Sequence, residues 1–241
     1  MAPIFTPDGT EVEEVILPDG SEAFEVIAPD GTVVFEGIPD SDHQWLWDEG
    51  QGESLVDNIG DADATREGAT WSEDTNAVGG WWLEFDGSDN YVDLPIIDEL
   101  DGGQFSIAIT VYTDTINQDG FIWNQTDDNR FSIALDDASI QCEGVNSDSF
   151  GGSWSNPPES TLFRLGVAFD FTNGDVEIYR DGDRVDDGTD APGTGSATAH
   201  EIGRTIGGGN EFEGVLDHPV AAYELWDSND FTGDYGEQPW S

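Results

Sequence analysis

Lysine is missing from this chain altogether. Its 241 residues carry six basic side chains, all arginine (Arg66, Arg130, Arg164, Arg180, Arg184 and Arg204), against 53 Asp and Glu, for a formal charge of -47. So few cations cannot assemble the basic face that a phosphate backbone requires, which argues against nucleic acid and anionic membrane surfaces as partners. Cysteine is nearly absent too. Cys142 stands alone, so no internal disulfide forms and no cysteine zinc cluster is available. The histidines His43, His200 and His218 are isolated in sequence, and there is no Gly-x-Ser-x-Gly elbow, His-Glu-x-x-His pair or phosphate loop. No apolar run reaches membrane-spanning length, which argues against membrane insertion. The N-terminus "MAPIFTPDGTEV" has neither a basic n-region nor an apolar h-region, so no ordinary signal peptide is expected.

What the chain does have is acid and aromatic rings together. High net charge with little hydrophobicity leaves a chain disordered. Here 9 Trp, 13 Phe and 5 Tyr supply ample apolar area, so the charge belongs on the surface of a folded body. Such a surface repels itself in dilute buffer, whereas at molar salt the Debye length shrinks to about 3 Å and the repulsion is screened. Abundant acid without lysine resembles the proteomes of extreme halophiles, the haloarchaea in particular.

The first 40 residues repeat themselves. "PDGTEVEEVIL", "PDGSEAFEVIA" and "PDGTVVFEGIP" start at Pro7, Pro18 and Pro29, an 11-residue spacing. Each Pro-Asp-Gly presets a turn and each following stretch favours a strand, which predicts a small β-meander over residues 1–40. So small a strand set needs cover, and docking on the rest of the chain, on another copy or on a larger assembly is expected, the alternative being an N-terminal hairpin extension of the main sheet. Residues 41–228 change to alternating segments separated by Gly, Asn and Asp turns. Phe105, Ile107, Ile109 and Val111 share one face of "QFSIAITVY". Phe131, Ile133 and Leu135 do so in "RFSIAL", and Phe163, Leu165, Val167 and Phe169 in "FRLGVAFDF". Hairpin turns are expected at Asn173-Gly174 and Asp181-Gly182. The fold class is all-β, a two-sheet antiparallel jelly-roll sandwich, with residues 229–241 as an acidic tail.

Several stretches, in order, resemble the laminin-G-like branch of the concanavalin-A-like jelly rolls. They are "HQWLWDEGQGESLVDNIGDADATREGATW", "GGWWLEFDGSDNYVDLP", "FSIAITVYTD", "FRLGVAFDFTNGDVEIYRDGDRV", "HEIGR" and "FEGVLDHPVAAYELW", together spanning about Gln44 to Trp226. The chain departs from the family at Leu216-Asp217-His218-Pro219, where a proline in a strand implies an edge or a bulge. The resemblance implies a structural calcium site at one end of the sandwich. By position, Asp48, Asp57 (or its neighbour Asn58) and Asp217 would supply its carboxylates.

"LEFDGSDNYVDLP" admits three readings. An EF-hand loop starting at Asp86 would need Gly and Glu where Tyr91 and Ile97 stand, so it fails. Glu84, Asp86 and Asp89 imitate the Glu-x-Asp-x-x-Glu run of glycoside hydrolases on this jelly roll. That chemistry needs carboxyls about 5 to 5.5 Å apart on one continuous strand, and the cluster Gly87-Ser88-Asp89-Asn90 breaks the strand before the third acid. The remaining reading is a hairpin turn, with Leu83, Phe85, Val92 and Leu94 on the core side.

Trp81 and Trp82 are adjacent and must point to opposite faces. Trp123 in "GFIWNQT" and Trp154 in "GGSWSNPP" border loops, and their rings are the candidates for stacking on a sugar. "GGGN" at 207–210 reads as a flexible loop. The expectation is a non-enzymatic adhesion or structural module on the exterior of a haloarchaeal virion, as head spike, decoration or tail fibre. It would be homo-oligomeric, in contact with capsid or tail proteins, and able to read host-surface glycans. The alternatives are a cellular haloarchaeal carbohydrate-binding or adhesion domain and a glycoside hydrolase.

Overall fold

The computed structural model describes residues 41–233, with breaks at 78, 98–99, 101–102, 126–130, 145–149 and 190–198, together with four short strands before residue 40. Those four are β1 (Ile4–Phe5), β2 (Glu11–Val12), β3 (Glu25–Ile27) and β4 (Val33–Glu36). They pair antiparallel as β1 with β2 and β3 with β4, each pair flanking one Pro-Asp-Gly. The rest of the expected three-repeat meander, its second turn included, lies outside the described residues.

The body is a sandwich of two eight-strand antiparallel layers. The first sheet runs β15 (Phe150–Ser155), β14 (Ser139–Gly144), β13 (Phe131–Asp136), β12 (Gly120–Gln125), β19 (His200–Ile202), β10 (Tyr91–Leu94), β7 (Ala64–Glu67) and β6 (Ser54–Leu55). The second runs β18 (Asp183–Thr189), β17 (Asp175–Arg180), β16 (Phe163–Asp170), β11 (Gln104–Tyr112), β20 (Glu213–Ala222), β9 (Trp81–Asp86) and β8 (Thr70–Glu73), with β5 (His43–Gln44) paired to the far part of β20. The alternation seen in the sequence fills the space between them: Phe105, Ile107, Ile109, Val111, Phe131, Ile133, Val167 and Phe169 are completely buried. Of the two expected hairpin turns, Asp181-Gly182 forms as a two-residue turn, whereas Asn173-Gly174 ends a four-residue turn over 171–174 between the paired Asp170 and Asp175. Asp181 and Gly182 take positive φ between β17 and β18, and Asp170 accepts the amides of Thr172 and Asn173 at the turn into β17.

Three local outcomes differ from a plain alternation reading. Leu83, Phe85, Val92 and Leu94 are buried as expected, but β9 and β10 belong to different sheets. The Gly87–Asn90 turn is therefore an arch across the core and not a hairpin within one sheet. The two cases have the same alternation, because both strands point alternate residues at one interior. Its turn chemistry is local: Ser88 donates its amide to the Asp86 carboxylate at 2.9 Å, and Asp89 takes positive φ.

Pro219 falls in an interior strand and is accommodated by a bulge. Ala108 faces Val220 and Thr110 faces Asp217, so His218 and Pro219 together oppose Ile109, with His218 at φ 46°.

The third outcome is at the C-terminal end, where α1 (Ser228–Gly233) lies on the outer side of the second sheet. Trp226 and Phe231 are buried there with Tyr179, Ala108, Ala168, Val220 and Ala222. The folded body thus continues past residue 228, the expected boundary, at least to Phe231.

Candidate functional site

On the first sheet, outward positions follow from the two-residue period of each strand. In β13, Ile133 and Leu135 enter the core, so Ser132, Ala134 and Asp136 face outward. Phe121 of β12 and Gln141 of β14 stand on either side of Ala134 in register. The small Ala134 side chain leaves a trench between the ring of Phe121 and the amide of Gln141.

This trench is a cleft of about 190 Å³ lined by Asp119, Phe121, Ser132, Ala134, Leu135, Asp136, Gln141 and Asn210. Asp136 stands at the end of β13 opposite the start of β12, which brings it to Asp119. Burial pushes the Asp136 carboxyl up from its ordinary range. The charge of Asp119 and a hydrogen bond shared with it push the same way, and Asp137 adds to this. A hydrogen bond with Gln141 opposes them.

The far wall comes from the 203–212 loop. Phe121 donates its amide to the Asn210 carbonyl at 3.0 Å, and Phe212 donates to the Gly203 carbonyl at 2.8 Å. Gly207, Gly208, Gly209 and Asn210 all take positive φ, a run that only glycine with a final Asn supports at low cost. Of "GGGN", Asn210 lines the cleft, a residue that sequence reasoning passed over. Its signal was present: four consecutive residues tolerant of positive φ.

The sequence-selected tryptophans lie elsewhere. Trp123 has no exposed surface. It follows a bulge between Phe121 and Trp123 and points into the core, edge-on to Trp45 at 6.1 Å between ring centroids. A ring inside the sandwich cannot stack on a sugar, and the expectation of an exposed Trp123 is corrected accordingly. Trp154, in register with the core residue Ile140, packs edge-on against Phe163 at 5.5 Å and keeps only partial exposure at the end of its sheet.

The three acids implied for calcium do not converge. Asp48 is exposed, whereas Asp217 is buried in β20 beside the bulge. Asp57 is buried and its oxygens are already engaged. Oδ1 accepts the amides of Gln44, Ile59 and Gly60 at 3.1, 3.2 and 2.9 Å, and Oδ2 accepts Ala62 at 3.0 Å and His43 Nδ1 at 2.5 Å. Burial pushes this carboxyl up, but the His43 bond and the backbone amides outweigh it and hold it well below the usual carboxylate range. His43 also pairs through Nε2 with the Tyr223 hydroxyl at 2.5 Å and stacks on Trp45. Asp57 orients a histidine and closes a loop, and its lone pairs do not fit a cation as well. Among the described residues no group of three or more His, Cys, Asp or Glu is placed to hold a metal ion. Among them, too, no helix is long and apolar enough to cross a membrane.

A family model described as the concanavalin A-like lectin/glucanases superfamily matches residues 86–224. No curated protein matches. Among solved structures, domain 4 of AbnA, a GH43 extracellular arabinanase from Geobacillus stearothermophilus in complex with arabinotriose, is similar with a TM-score of 0.64 and 18% identity, covering 81% of this chain and 98% of that one. Trypanosoma rangeli sialidase in complex with sialic acid is similar at TM-score 0.66 and 12% identity, over 90% of this chain and 36% of that chain. Botulinum neurotoxin type C, reported as interacting with two ganglioside molecules, is similar at 0.63 and 17%, over 84% of this chain and 52% of that one. This chain therefore spans about a third of the sialidase and half of the toxin chain. The expectation of a non-enzymatic module is overturned: the fold recurs in chains of glycoside hydrolases, and it is compatible with an enzymatic or a binding role.

Proposed function

Because this chain belongs to the concanavalin A-like lectin/glucanases superfamily, we propose that it binds carbohydrate, and that the glycan seat is the cleft over β12, β13 and β14. The observation that carries this reading is the combination in one trench of an aromatic ring, Phe121, over a small floor, Ala134, with the polar groups of Gln141, Asn210, Asp119 and Asp136 around it. A ring takes the apolar face of a sugar while amides and carboxylates take its hydroxyls, which is how a shallow site orients a glycan.

The setting we propose is brine outside a cell, on the exterior of a haloarchaeal virion, with the repeated N-terminal strands docking the module to further copies or to capsid or tail proteins. The lysine-free acidic composition and the 11-residue repeats support it. Retention of the protein on haloarchaeal cell envelopes in molar KCl tests the binding. It is expected to disappear when the envelope glycans are stripped and to weaken about tenfold in Phe121→Ala, a loss of about 1.4 kcal/mol. Equal retention on stripped envelopes would rule the glycan out.

Hydrolysis is the second reading, because the fold recurs in chains of glycoside hydrolases. Release of reducing sugar from a bound polysaccharide, abolished in Asp136→Asn, would establish it.

A further inference from the structure

Resting on that reading, we infer that the cleft selects uncharged glycans and rejects those that present a carboxylate or sulfate to it. Two carboxylates, Asp119 and Asp136, stand at its rim, and none of its lining residues is basic. Partial burial and the charge of Asp119 both raise the cost of ionising Asp136. A third anion in the same trench would raise that cost further. Neutral sugar hydroxyls do the opposite: they donate to the carboxylates and relieve the repulsion by hydrogen bonding.

Bulk salt does not remove this discrimination. At molar ionic strength exposed charges beyond about 3 Å are screened, but groups in direct contact at a partly buried site are screened much less. The likenesses in fold do not decide the matter, since one similar structure holds arabinotriose, a neutral sugar, and another sialic acid, a carboxylated one. The side chains of this trench decide it. Like charges brought together at an interface are strongly disfavoured, so the effect is large enough to measure.

The experiment compares neutral oligosaccharides with their sialylated or uronate counterparts in 3 M KCl, using the full chain, Ala134→Leu and the double variant Asp119→Asn/Asp136→Asn. The expected result is binding of neutral glycans at least about tenfold tighter than of acidic ones. The double variant narrows that ratio, and Ala134→Leu, which fills the trench floor, loses binding of both classes. Acidic glycans bound as tightly as neutral ones, with Ala134→Leu still abolishing both, would overturn the selectivity while leaving the glycan seat in place. No glycan bound, or binding unchanged in Ala134→Leu, would overturn the seat itself and the selectivity with it.

Discussion

His218 is completely enclosed, with Gln44 on its Nε2 at 2.9 Å and the Arg164 guanidinium donating to its backbone carbonyl. Burial, reinforced by the Arg164 charge, holds its imidazole well below the ordinary histidine range, and burial pushes His200 down to about 4. Both are neutral in the folded state, whereas in the unfolded chain each takes a proton below about pH 6.5. Their contribution is therefore intact above about 6.5 and is lost as pH falls, for His200 down to about 4. Denaturant midpoints in constant molar KCl should fall across that interval, by up to about 1.4 kcal/mol per pH unit for each histidine. His200→Leu should flatten the slope, and an unchanged slope would refute the assignment. Asp57 makes the complementary case. Replacing it with Ala strands the buried His43 and the amides of Gln44, Gly60 and Ala62, so a stability loss of about 3 kcal/mol is expected. Urea titration of Asp57→Ala and Asp57→Asn measures it, with the amide variant retaining part of the network.

At the scale of elements, α1 is held by one ring in a place made for it. A Cβ built on Gly166 would lie 2.4 Å from Phe231 Cδ1, so the glycine is required by this docking and not by backbone conformation. Gly166→Ala should cost about 1 to 3 kcal/mol through overpacking, and Phe231→Ala about 3 to 5 kcal/mol through the cavity it leaves. Hydrogen exchange should show faster exchange of residues 226–233 in both variants, while β13 and β16 keep their protection. A uniform acceleration throughout the sandwich would mean that α1 and the sheets unfold as one unit. The bulge at His218-Pro219 was legible as a proline in an apolar strand. Which strands flanked it was not, because pairing partners of β20 lie more than a hundred residues away in β9 and β11.

For the molecule as a whole, a charge of -47 over a 26.1 kDa body makes self-repulsion a first-order term in stability. The thermal midpoint should rise steeply as KCl is raised from about 0.2 M toward 3 M, where screening is nearly complete. A midpoint insensitive to KCl would remove the basis for placing the protein in brine. Composition and period were local properties, and the sequence by itself determined what depends on them: an all-β chain, the core faces of β11, β13 and β16, the turns at Asn173-Gly174 and Asp181-Gly182, and an acidic exterior. The tertiary structure alone decided where chemistry is possible. Trp123 reads in sequence as a loop-border ring, yet a one-residue bulge turns it into the core and leaves Phe121 at the surface. Asp119, Asp136, Gln141 and Asn210 become neighbours only when β12, β13 and β14 align and the 203–212 loop folds back on them. A period of two residues states that a side chain faces in or out, but the register between strands and a single inserted residue set which outward side chains meet.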